Sequence, residues 1–316
     1  MKNKKLIILL KILLTLLIVF LIIRKIGLSS ILDILSHGDL WMLIPVFIVN
    51  VVYFLIGAVN QWVLFMPFQK LKLVDFSHEY FTSILIGALT PGQIGEATIA
   101  MLLKKYNVPP TQSIGILGID KLSAFIVSLI ISLIGILIYD FPSAFKQITS
   151  CVIALFFILL TLILSAPVRK YIRYILEKHR IETVIDTLDS LPFLMRYHKR
   201  ILVYNFLLKL IRAIIITIRV YFALTMFGIS PTLTDIFFLH TISRVASIIP
   251  ITINNIGVLE IAMIYFFKKA KIDSAVIICS MIVTRFVSYS FFIAFMINAL
   301  YIKKSRFRHA KLDISK

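Results

Sequence analysis

The sequence predicts an all-α fold: a polytopic bundle of transmembrane helices. Two observations carry that prediction. Of 316 residues, 60% are hydrophobic and only 16% are charged, which is more apolar surface than a water-soluble core can use. The long apolar runs also lack the two-residue alternation of barrel strands, and in lipid only helices and closed barrels satisfy their own backbone.

The first apolar run, at about 6–23, follows a basic start, "MKNKKLIILLK". It is long and no small-residue cleavage site follows it, so it reads as a retained span with Lys11 snorkelling to the interface. Further runs of spanning length lie at about 42–66, 113–138, 148–165, 201–227 and 274–301.

Two segments differ. Residues 76–103 and 236–267 are each divided by a polar centre, "LTPGQIGE" in one and "IPITINNIGVLE" in the other. Each half is too short to cross roughly 30 Å of hydrocarbon at about 1.5 Å per residue. Such halves suit re-entrant hairpins, whose irregular backbone must be covered by protein or line a wet cavity. The expected architecture is therefore about six full spans plus two re-entrant hairpins, in a single integral membrane domain over 1–316. Between them, 166–200 carries apolar residues at helical spacing among charges and reads as an amphipathic segment on the cytoplasmic face.

A formal net charge of +19 could suggest nucleic acid, but in a membrane chain Lys and Arg gather in cytoplasmic loops beside anionic headgroups. No nucleic-acid partner is expected. The same bias predicts a cell-membrane protein with both termini in the cytoplasm. Cys151 and Cys279 fall inside apolar segments without metal-type spacing, so no metal site and no cofactor is expected.

Sliding the first hairpin onto the second by 164 residues superposes Glu96 on Glu260, Lys104 and Lys105 on Lys268 and Lys269, and Lys121 on Arg285. Buried charge is costly in membranes, so which residues coincide matters more than how many. Three full crossings separate the copies, so the second would enter from the opposite side. The halves at about 76–138 and 236–301 thus read as an inverted repeat, an architecture whose sites lie near mid-membrane where broken helices meet.

Nine charged residues are candidates for a site inside the membrane: Glu96, Asp120, Lys121, Lys209, Arg212, Arg219, Arg244, Glu260 and Arg285. Lys209, Arg212 and Arg219 share one helix face and form a basic stripe suited to a phosphate-bearing headgroup. Glu96 with Lys121, and Glu260 with Arg285, are expected pairs for which a headgroup would compete. Snorkelling, with pairing to Asp120 or Asp235, is the structural alternative for the stripe.

The two motifs, the "DK" at 120–121 and the "TR" at 284–285 resemble the lysylphosphatidylglycerol synthase transmembrane-region family, also called flippase-like proteins. The resemblance places the family's T-P-G-x-x-G-E on Thr90, Pro91, Gly92, Gly95 and Glu96. Its later motif falls on Pro250, Gly257 and Glu260, its paired charges on Asp120 and Lys121, and its last base on Arg285. Lys121 stands where Arg is usual, and Asn254 and Asn255 replace a glycine-rich approach, which Asn can survive by tolerating left-handed backbone. The resemblance implies a domain that moves lipids or lipid-linked headgroups between leaflets, without the soluble aminoacyl transferase of the synthases.

The function expected is a lipid translocator for an anionic phospholipid or a polyprenyl-phosphate-linked headgroup, with the membrane lipid as substrate. The alternatives are an accessory subunit serving a separate lipid-modifying enzyme, or an enzyme of lipid aminoacyl or glycosyl transfer. No Asp-x-Asp, G-x-S-x-G, H-E-x-x-H or nucleotide-binding motif occurs, and His240 is the lone His in an apolar segment.

Overall fold

The computed structural model describes residues 2–88, 97–178, 193–194, 196–246, 252 and 255–314. These are all-helical, without a strand among the described residues. In chain order the helices are α1 (Lys2–Ile26), α2 (Leu28–Ser36), α3 (Leu43–Phe65), α4 (Leu73–Ala88), α5 (Ile99–Leu102), α6 (Pro110–Ile138), α7 (Ser143–Leu164), α8 (Ala166–Lys178), α9 (Lys199–Thr225), α10 (Leu233–Ala246), α11 (Val258–Phe267) and α12 (Ser274–Ile314).

Local chemistry sets the ends. Pro110 opens α6, where its missing N–H costs nothing. Thr232 Oγ1 accepts the Asp235 N–H at 3.1 Å before α10, and Asp273 accepts the Ala275 N–H at 2.7 Å before α12. Asn107 and Lys271, at φ 61° and 56°, turn left-handed after the short helices that end the two hairpins.

Four helices are long and apolar enough to cross a membrane: residues 40–65, 110–138, 199–225 and 274–296. A fifth crossing exists if α1 and α2, bent by 78° at Gly27, are one span. The sequence predicts six; the difference lies at that bend and in α7, whose described apolar part, Ser143–Phe156, is short. The chain is a multi-pass membrane protein.

The two divided segments fold back on themselves. In the first, Lys105 at the hairpin's end donates to Glu79 in the second turn of α4 at 2.7 Å, and Gln69 donates to the Tyr106 carbonyl at 3.1 Å. The chain has returned to the end at which it entered. In the second, Ile236 near the start of α10 shares one buried cluster with Phe267 at the end of α11. A single kinked span would hold those residues apart, so each segment is a hairpin.

The element order repeats. Helices α3, α4, α5 and α6 correspond to α9, α10, α11 and α12, and the leading pair runs antiparallel. Asn60 Nδ2 donates to the Asn205 carbonyl at 2.9 Å, while about three to four turns along Arg219 reaches Asn50 at 2.7 Å. Antiparallel equivalents are what an inverted repeat requires. Each half has its own core, one from Phe65, Phe76, Leu103 and Val108, the other from Leu224, Ile236, Phe267 and Ile272.

Lipid tails are as apolar as Leu, so close packing rather than the hydrophobic effect holds such helices together. Two glycines permit it. A Cβ on Gly57 would lie 2.3 Å from the Tyr80 hydroxyl, bringing α3 against α4, and one on Gly135 would lie 2.9 Å from Phe238 Cβ, bringing α6 against α10. The counterpart of the α6–α10 contact, α4 on α12, is looser. There the rings of Phe81, Phe291 and Phe295 fill the gap, at centroid separations of 5.7 and 5.2 Å.

Candidate functional site

Where the two halves meet, a cavity of about 620 Å³ opens between α3, α4, α6, α9, α10 and α12. Its wall carries Lys121, Lys209, Arg212, Arg219, Arg244 and Arg285. These are the six bases among the nine candidates. In the repeat expected from the sequence Lys121 and Arg285 are equivalent positions, on α6 and α12, and the α9 stripe faces the same space.

The stripe is built on one ring. Tyr53 of α3 has the Arg212 guanidinium 4.4 Å and the Arg219 guanidinium 5.4 Å from its centroid. Seven residues apart, the two arginines rise roughly 10 Å along α9, and Tyr53 occupies the space between them. Their position on one helix face is as expected.

Arg219 has neutral partners. Its Nη1 donates to Asn50 Oδ1 at 2.7 Å, and Ser288 Oγ stands 3.4 Å away, itself donating to the same Asn50 oxygen at 2.9 Å. The Nε of Arg219 is buried without a hydrogen-bond partner. No carboxylate lies within ion-pair reach of it among the described residues.

Lys209, by contrast, is neutralised. It donates to Asp120 deep in the bundle, both groups being buried. Asn205 holds the assembly: its side chain accepts from Ser123 at 2.6 Å and donates to the Asn60 carbonyl, while the Asn60 side chain donates to the Asn205 carbonyl. Of the two carboxylates that could serve the stripe, Asp120 does so. Asp235 instead accepts from the Tyr139 hydroxyl at the end of α6, where burial and that carboxylate push the phenol above its usual range.

Glu260 is buried and holds Arg285 as the sequence predicts. One oxygen accepts from Nε at 3.0 Å and from Nη2 at 2.7 Å; the other accepts the Gly257 N–H at 2.6 Å, closing the first turn of α11. Gly257 and Asn255 adopt positive φ there, 89° and 56°, so the asparagine does take the left-handed turn. Glu96, Thr90, Pro91, Gly92, Gly95, Pro250 and Asn254 lie outside the described residues, as does the expected Glu96–Lys121 pair.

Several lining residues escape sequence reasoning. Tyr53 looks like one more aromatic in an apolar span. Gln61 and His240, 6% and 4% exposed, reach the cavity with Gln61 Oε1 and His240 Nδ1 buried and unpartnered. The available signal was the rarity of amides inside such spans: Asn50, Asn60, Gln61 and Asn205 each interrupt one. Among the described residues no cluster of His, Cys, Asp and Glu could hold a metal ion.

The chain matches the family described as "Lysylphosphatidylglycerol synthase TM region" over residues 8–295, nearly its whole length. No curated protein matches it. The family fits a membrane lipid-related function, and the match spans both hairpins and every lining residue named above. The chain belongs to the lysylphosphatidylglycerol synthase transmembrane-region family.

Proposed function

We propose that this protein moves a lipid with an anionic headgroup, an anionic phospholipid or a polyprenyl-phosphate-linked one, between the leaflets of the cell membrane, with both termini cytoplasmic. The observation that carries the reading is Arg219, a guanidinium inside the bundle whose described partners are neutral, in a cavity with five further cations. Charge at that depth is expensive unless an anion meets it. The headgroup supplies that anion.

The fold supports a route. Two inverted halves that differ in closure, tight at α6–α10 and loose at α4–α12, have the asymmetry of one state of an alternating pair. Exchanging the two geometries would carry the cavity's opening from one side to the other. The headgroup binds at Arg219 and Arg212 and competes with Glu260 for Arg285, so that occupancy biases the equilibrium between the states.

The test is leaflet exchange of a fluorescent anionic lipid in liposomes containing the purified chain, read by chemical quenching of the outer leaflet. Wild type makes the inner-leaflet label accessible, and Arg219→Gln slows this by about tenfold or more, the loss of one charge-assisted contact. Exchange no faster than in empty liposomes would overturn the proposal.

A further inference from the structure

The net charge of the cavity specifies what kind of anion fits. Six cations line it, and among the described residues Asp120 offsets Lys209 and Glu260 offsets Arg285. Even with Glu96 subtracted for its charge alone, six bases less three acids leave +3. A phosphodiester headgroup carries one negative charge and would leave +2 within the membrane, still costly. A phosphate monoester carries about −1.5 to −2 near neutral pH, and a diphosphate ester carries more.

Placement agrees with charge. Arg212 and Arg219 approach Tyr53 from positions two turns apart on α9, while Arg244 enters from α10 and Lys121 from α6. A single-charge headgroup reaches one of these sites; a group with several ionised oxygens bridges them, as guanidinium forks favour. Two buried polar side chains, Gln61 and His240, also reach this space with an unpartnered atom each. They suit the esterified or protonated oxygens that the cations leave over.

We infer that the cavity selects a lipid ending in a phosphate monoester or a diphosphate, over one whose phosphate is a diester. The inference rests on the anionic-headgroup reading above and narrows it.

The experiment compares two probes with identical acyl chains, dioleoyl phosphatidic acid (monoester) and dioleoyl phosphatidylglycerol (diester). Each is titrated into the full chain in neutral detergent, with thermal unfolding as the readout; inorganic pyrophosphate is titrated separately. Phosphatidic acid is expected to half-saturate at a concentration about tenfold or more below that of phosphatidylglycerol, a preference that shrinks in Arg212→Gln. If that variant fails to fold, the wild-type comparison alone decides. Equal or tighter binding of phosphatidylglycerol, lost in Arg219→Gln, would overturn the selectivity and leave the anionic-lipid reading standing. Binding of neither lipid would overturn both. Saturation by pyrophosphate at the same concentration as phosphatidic acid would overturn the lipid as source, assigning the site to a free polyanion.

Discussion

Arg285 grips a single oxygen of Glu260 with two nitrogens, at 3.0 and 2.7 Å, and leaves the other oxygen to the Gly257 N–H. One carboxylate thereby fixes the first turn of α11 and ties it to α12. A headgroup that draws Arg285 away leaves Glu260 still bound to the hairpin, so the contact can open without unwinding α11. The positive φ of Gly257 and the 2.4 Å approach of Ile18 to its missing Cβ show how little room the turn has to adjust otherwise.

Glu260→Gln removes the ion pair but keeps an acceptor for Gly257. Arg285 is partly exposed to the cavity, so the expected loss is moderate, about 1–3 kcal/mol. Thermal unfolding in detergent measures it. The double variant Glu260→Gln with Arg285→Gln should recover much of the stability while lipid exchange stays slow. Full exchange in the double variant would show that the pair only fastens helices.

Asp120 presents a different balance. With Lys209 and Asn205 it is buried at the cavity wall, where a lone cation is costly. Asp120→Asn strands Lys209 and should cost about 3 kcal/mol or more, whereas adding Lys209→Met should return most of that. Comparable unfolding temperatures for the single and double variants would mean that Lys209 finds another carboxylate.

Gly135 controls the tight side of the cavity. A methyl there would sit 2.9 Å from Phe238 Cβ and 3.1 Å from Ile242, so α6 and α10 must separate to admit it. Gly135→Ala should raise the labelling rate of a single cysteine placed at the fully buried Leu239 by about tenfold, through a shift of roughly 1.4 kcal/mol in the opening equilibrium. An unchanged rate would mean the closed contact is not mobile.

How much of this was legible can be seen at particular residues. The alignment of Lys104 with Lys268 and of Lys121 with Arg285 is visible because charge is rare in these spans, and it locates the halves. The relation of α3 to α9 is not, since apolar lipid-facing helices carry little periodic signal and α4 sits 160 residues before α10, not 164. Four extra residues in the second break shift the register and hide Tyr80 opposite His240, both of which reach the cavity. The basic stripe was readable from helix geometry; that Arg219 meets Asn50 and not Asp235 depends on antiparallel pairing, which no single-helix pattern contains.

The inverted layout itself has a direct check at the far ends of the hairpins. Lys105 and Lys269 occupy equivalent positions, each exposed and each within the 3-10 turn that closes its short helix. Because α3 and α9 run antiparallel, the two lysines belong on opposite membrane faces. Single cysteines at these positions, in a background with Cys151→Ser and Cys279→Ala, should react with an impermeant maleimide from opposite sides of intact vesicles. Cys279 is fully buried with its thiol near the Ile31 carbonyl, so alanine is the smaller disturbance there. Lys105→Cys also releases the Glu79 contact that lifts the lysine's pKa, and Lys104→Cys serves as the control that keeps it. Labelling of both hairpin ends from one face would contradict the antiparallel halves, and with them the exchange of closure between α6–α10 and α4–α12 on which the proposed transport depends.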